Sequence, residues 1–161
     1  MKKLFTILLI MSLVGFEVPH NVTIPDNAVG VWECPSLGTV SPLYESKWDA
    51  QGIVDDDESA WFGSYGSARI ICDHADSNVG GGVWNVNQMQ VGGTAFLHTR
   101  EGIFQYKCYM ICEADSGYSI YSMYGKQLYA HSSTDIVCAS CATPDGERVY
   151  LAFYEFIGEM P

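Results

Sequence analysis

The strongest constraint on the fold is a rhythm of short β-type runs. Val29–Glu33, Ala60–Tyr65, Ala68–Cys72, Thr94–Thr99, Ile103–Ile111, Tyr118–Tyr121, Gln127–Ala130, Asp135–Ser140 and Arg148–Ile157 are rich in Tyr, Phe, Val and Ile. Gly, Asp, Asn and Ser separate them. Aromatic and β-branched side chains suit a pleated, half-buried surface, and the turn residues end each run. After the N-terminal segment, no stretch holds an apolar period of 3.6 residues for three turns, so long helices are not expected. One short helical turn is expected at Trp84–Met89, before Val91-Gly92-Gly93. Many short strands punctuated by turns read as an all-β barrel or sandwich. The 161 residues suffice for one such domain.

The first residues read differently. Met1-Lys2-Lys3 precedes an apolar segment from Leu4 to Phe16, interrupted by Thr6, Ser12 and Gly15. A basic start followed by an apolar stretch shorter than the ~18 residues of a membrane span reads as a secretory signal. No Ala-x-Ala site follows, so an uncleaved anchor is the other reading. Either one places the folded part outside the cytoplasm. Residues 18 to 28 read as a linker or extended entry.

Charge excludes some partners. From Val18 onward there are 18 Asp and Glu against 6 Lys and Arg, a formal net charge of −12. A chain so acidic is a poor ligand for nucleic acid or an anionic membrane surface. The run Asp55-Asp56-Asp57-Glu58 offers calcium-type oxygens, but its plainer reading is a solvated loop.

Six cysteines in an exported chain raise the question of disulfides. Cys108 and Cys112 share one apolar run. In a strand, positions four apart lie about 13 Å from each other, too far to bridge. Two other thiols end or precede the close of a run, in Ile136-Val137-Cys138-Ala139-Ser140-Cys141. Arg148 follows and opens the next run. Upstream, Ile70-Ile71-Cys72-Asp73-His74 ends in an imidazole. Cys141, His74 and Arg148 are the parts of a cysteine acyl-transfer site: a thiolate to attack, an imidazolium to protonate the leaving amine, a cation for the oxyanion.

These residues, in this order, resemble the sortases, exported cysteine transpeptidases on a closed β-barrel. The family's motif is Thr-Leu-x-Thr-Cys at a strand end; Val137-Cys138-Ala139-Ser140-Cys141 stands there, with Cys138 for Leu and Ser140 for Thr. The family's Ile-x-Gly-His becomes Ile71-Cys72-Asp73-His74. A Gly-rich stretch, an aromatic and a short turn follow in Gly80-Gly81-Gly82-Val83-Trp84 through Thr94. Tyr106 resembles the Tyr of the next strand. Ser41-Pro42-Leu43-Tyr44 resembles the early Pro-Val-Tyr strand. The resemblance covers residues 29 to 157.

It implies an all-β, closed sortase-like barrel with one or two short helical turns over residues 29–161. Residues 1–17 would be the signal or anchor, and 18–28 the linker. Cys141 would be the nucleophile, His74 the acid and base, and Arg148 the oxyanion or carbonyl ligand. Trp84 and Ser140 would line the substrate groove. The implied substrate is a peptide sorting signal of the Leu-Pro-x-Thr-Gly type, passed to an amine of the cell wall, a pilin or another protein. No cofactor is required, and no metal is implied.

Other readings stay open on the residues alone. Cys138 is a rival nucleophile. Cys72, His74, Cys138 and Cys141 offer a set of zinc-type ligands, and Cys138-x-x-Cys141 a dithiol couple. A sortase-type barrel that only binds a partner is a third. The plainer reading of Cys141 is a buried or disulfide-bonded cysteine, and that of Arg148 a charge guarding a strand edge. His20, His98 and His131 read as surface loop histidines. Trp32 and Trp61 read as core or rim aromatics.

Overall fold

The computed structural model describes residues 17–45, 59–65, 68–73, 86, 88–115, 134–142 and 148–161. Its strands are β1 (Gly30–Cys34), β2 (Thr39–Glu45), β3 (Ser59–Tyr65), β4 (Ala68–Asp73), β5 (Thr94–His98), β6 (Ile103–Asp115), β7 (Ile136–Cys141) and β8 (Arg148–Glu159). They bond in the order β1-β2-β3-β4-β7-β8-β6-β5 and close into a barrel, because β5 returns to β1. Two pairings are parallel, β2 with β3 and β4 with β7. A 3-10 turn at Pro35–Leu37 links β1 to β2 and ends at Gly38, whose φ of 62° is left-handed. A second tight turn is marked by the Met89 N–H donating to the Val86 carbonyl at 3.2 Å. It falls within the expected turn at Trp84–Met89. The expected runs Tyr118–Tyr121 and Gln127–Ala130 lie outside the described residues, as do Asp55–Glu58, Trp84 and His131. Among the described residues, no helix is long and apolar enough to cross a membrane.

Period-two alternation divides the side chains between two apolar layers. Trp32, Cys34, Leu43, Ile71, Ala95, Leu97, Tyr106, Cys108, Ile136, Cys138, Ala152 and Tyr154 fill the barrel interior. Trp32 anchors it, with ring centroids 5.1 Å from Tyr154 and 5.6 Å from Tyr106. Burying such aromatics contributes about 2 kcal/mol each. Ile70, Val137, Ala139, Leu151 and Phe153 form a second layer on the outer face of β4, β7 and β8.

Two departures from simple alternation matter. In β2, Thr39, Ser41 and Leu43 are the buried positions, so its inward face is mostly polar and hydropathy hides it. Pro42 is tolerated because the pairing with β3 begins at Leu43. In β6, a bulge lies between Cys108 and Met110. Tyr106 and Cys108 face inward, Tyr109 and Met110 both pack on the outer layer, and Ile111 turns inward again.

Segment 18–28, expected as a linker or entry, runs along the outer face of β1 and β5. His20 bonds the Glu33 carboxylate through both its backbone N–H, at 3.1 Å, and its ring. His98 Nε2 lies 2.6 Å from the other Glu33 oxygen. Glu33 is completely buried and His98 nearly so. His98 is therefore not the surface loop histidine its sequence suggests. It ends β5 and shares the outward face of Glu33, where the N-terminal strap covers both. His20 is exposed in its side chain but tied to Glu33. Arg100, in the β5–β6 turn, donates to the carbonyls of Ala28, Pro25 and Asp26 at 3.1, 3.2 and 2.7 Å. Beneath the strap, β1 and β5 approach so closely that a Cβ on Gly30 would sit 2.6 Å from the His98 carbonyl oxygen.

Candidate active site

The parallel β4–β7 pair brings two strand ends to one rim of the barrel. Its register runs from Arg69 opposite Ile136 to Asp73 opposite Ser140. Asp73 is the residue before His74, and Ser140 the residue before Cys141. His74 itself lies outside the described residues. Cys141 ends β7 at the register position of Val149 in β8. Apolar residues on both faces of β4 and β7 suit interior strands of a barrel wall.

Arg148 begins β8 beside that end. The Ala142 N–H donates to the Arg148 carbonyl at 2.7 Å and closes the last ladder bond of the β7–β8 hairpin. The guanidinium Nη2 lies 3.1 Å from Glu113 Oε2, with the two side chains 47% and 35% exposed. β8 is bonded to β6 on one side and β7 on the other, so Arg148 does not guard a strand edge.

Ser140 occupies an inward position, like Ile136 and Cys138, and is buried. Among the described residues, its Oγ has no hydrogen-bond partner.

The rival thiol is placed unambiguously. Cys138 is wholly buried in the barrel interior, opposite Ile71. Burial pushes its thiol well above the usual range, and neighbouring Cys34, Cys108 and Cys72 add to this. A thiolate is what nucleophilic attack, zinc ligation and thiol exchange all require. Its burial therefore disfavours the form that each of those roles needs. Cys72 pairs in register with Ala139 and packs on the outer layer, the face opposite Cys138. The four-ligand reading fails on that geometry. Among the described residues, no group of three His, Cys, Asp or Glu is placed to hold a metal. Cys34, Cys72, Cys108, Cys112 and Cys138 are not in disulfides, so Cys108 and Cys112 do not bridge.

Two charged features escaped sequence reading. Glu33 with His98 and His20 brings together residues 65 and 13 positions apart, and no local pattern links them. Glu113 meets Arg148 only because the β6 bulge shifts its face, which a plain alternation rule cannot register.

No protein-family model and no curated protein matches the sequence. Solved structures do. Sortase E1 from Streptomyces coelicolor, with a tripeptide in its active site, superposes with a TM-score of 0.67 at 14% identity, over 87% of this chain and 94% of that one. Sortase C-3 from Streptococcus pneumoniae gives 0.64 at 19%, over 90% and 70%. A sortase C from Streptococcus pneumoniae, described for catalysis and pilin substrate specificity, gives 0.66 at 14%, over 85% and 73%. With a closed all-β barrel whose β4 and β7 ends share a rim, this chain is a divergent member of the sortase fold.

Proposed function

We propose that this protein is an exported cysteine transpeptidase, with Cys141 as nucleophile, His74 as acid and base, and Arg148 as oxyanion ligand. The observation that carries the reading is the parallel register of Asp73 with Ser140. It supports His74 and Cys141 leaving neighbouring strands side by side, with Arg148 starting the next strand of the same wall.

The chemistry is balanced with no cofactor. The Cys141 thiolate adds to a peptide carbonyl, and the tetrahedral oxyanion is held by the Arg148 guanidinium. The C–N bond breaks, and the amine leaves with a proton from His74. The resulting thioester is opened by a second amine, whose proton returns to His74 as the thiolate departs. The substrate class is a peptide sorting signal of the Leu-Pro-x-Thr-Gly type. The acceptor is an amine on the cell wall, a pilin or another surface protein. Trp84 and Ser140 contribute to the groove, and residues 1–17 act as signal or anchor.

The test is thioester capture of such a peptide, read by intact-protein mass spectrometry. Cys141→Ala and His74→Ala each abolish the adduct, whereas Cys138→Ala retains it. A Cys138→Ala protein that is dead while Cys141→Ala captures peptide would overturn the assignment. So would a disulfide at Cys141 in the protein alkylated without reductant.

A further inference from the structure

We propose that the end of β8, Glu155–Glu159, is a docking edge for an extended polypeptide segment that alternates apolar and basic side chains. The edge exists because β8 outruns β7. β7 covers β8 only as far as Tyr154, opposite Ile136. β6 continues beside it to Glu159, opposite Phe104. Just before β7, the Asp135 carbonyl accepts the Arg69 N–H at 3.0 Å, so the chain there is bonded to β4. Among the described residues, no strand pairs with Glu155–Glu159 on the side away from β6. Backbone groups of an antiparallel strand point alternately to both sides, so the overhang offers an unpaired row to an incoming chain.

The side chains of the overhang define what that chain carries. Phe156 and Ile157, adjacent in sequence, are 40% and 50% exposed. Phe156 is held against Tyr106 and Phe104, with ring centroids 5.6 and 6.3 Å apart, while part of its surface stays open. At Gly158 an added Cβ would meet nothing within 4 Å. A strand glycine over open space leaves room for a second backbone to approach closely. Acids bracket these residues. Glu155 stands opposite Lys107. Glu159 reaches Gly102, where an added Cβ would lie 2.8 Å from the Glu159 Oε1.

A second copy of this chain fits the edge poorly. Two β8 ends paired antiparallel would set Glu155 of each near Glu159 of the other, and like charges opposite each other are destabilising. Formal net charges of −11 add to the repulsion. A basic segment turns both effects into attraction, and its apolar side chains cover Phe156 and Ile157. Ile157 is an extra residue in the ladder, between Phe156 opposite Tyr106 and Gly158 opposite Gln105. This bulge bends the edge and restricts full pairing to a chain that follows the bend. The edge lies at the end of β8 away from Arg148 and the β4–β7 rim, so the proposal is independent of the transpeptidase reading.

The test is hydrogen exchange on the full chain, read by mass spectrometry on peptides covering the overhang and β7. In the dilute free protein the overhang exchanges faster than β7. A synthetic probe of about six residues alternating Val and Lys is titrated in. At twice its dissociation constant it slows the overhang about threefold and leaves β7 unchanged. A probe of equal length alternating Val and Glu gives no protection. The double variant Glu155→Lys with Glu159→Lys reverses the preference between the two probes. Absence of protection by the Val–Lys probe, or equal protection by both probes, overturns the proposal. An overhang as slow as β7 in the dilute free protein shows an edge already covered and overturns it too. Protection that rises with protein concentration and needs no probe shows a second copy on the edge and overturns the basic partner.

Discussion

The β1–β5 wall and the β4–β7–β8 rim handle charge in opposite ways. On the wall, Glu33 is buried completely and its carboxylate accepts from the His20 backbone, the His20 ring and His98. At the rim, Glu113 and Arg148 meet partly in water, 3.1 Å apart. A buried carboxylate is held only if each donor stays in place, so the wall is committed to one arrangement. A solvated pair can part and reform at little cost. The difference separates a region that fixes the N-terminal strap from one whose charges are able to rearrange.

Three perturbations sharpen or break that contrast, the largest first. Glu33→Ala leaves His98 buried without its acceptor and releases the strap. It is expected to cost about 3 kcal/mol in urea denaturation. A loss below 1 kcal/mol would mean that the wall is no more committed than the rim.

Alkaline titration probes the thiols packed between the two. Burial pushes Cys34 up to about 12 from 9.0 and Cys108 to about 11. A folded-state value above the unfolded one contributes stability fully below pH 9, and this is lost as pH rises toward 12. At about pH 10.5, Cys34 alone should account for about 2 kcal/mol of lost stability. A stability that stays flat from pH 9 to 11 would contradict the burial of these groups.

Arg100→Ala removes three bonds to strap carbonyls in a largely solvated setting. It should cost about 1 kcal/mol and speed hydrogen exchange in residues 18–28 more than in β7. Equal effects on both segments would show that strap and rim unfold together.

The sequence carried the strands wherever inward positions are apolar. β1, β4, β5 and β7 lie within a residue or two of the runs read from composition. β2 was visible only through its resemblance to the Pro-Val-Tyr strand, because Thr39 and Ser41 are polar yet buried. β6 runs on to Asp115, past the expected end at Ile111, because the bulge at Tyr109 breaks the alternation. Of the candidate site, the ends of β4 and β7 were legible because each is an apolar run that stops at a reactive side chain. The buried state of Cys138 was not legible, since a cysteine in a strand reads alike on either face. His98 was misread because a titratable residue at a strand end looks solvated until its partner, Glu33, is known.

The parallel pairing of β4 with β7 also has a consequence in time. Arg69 meets Ile136 and Asp73 meets Ser140, partners 67 positions apart in the chain. Contacts of that span close large loops and form late, after hairpins such as β5–β6 and β7–β8. Until β4 and β7 meet, the barrel is an open sheet, and Cys34, Cys108 and Cys138 are not yet walled in. An oxidant that joins two of them during this interval would leave a chain unable to close its barrel. The speed of this one pairing sets how much of the chain reaches the closed barrel.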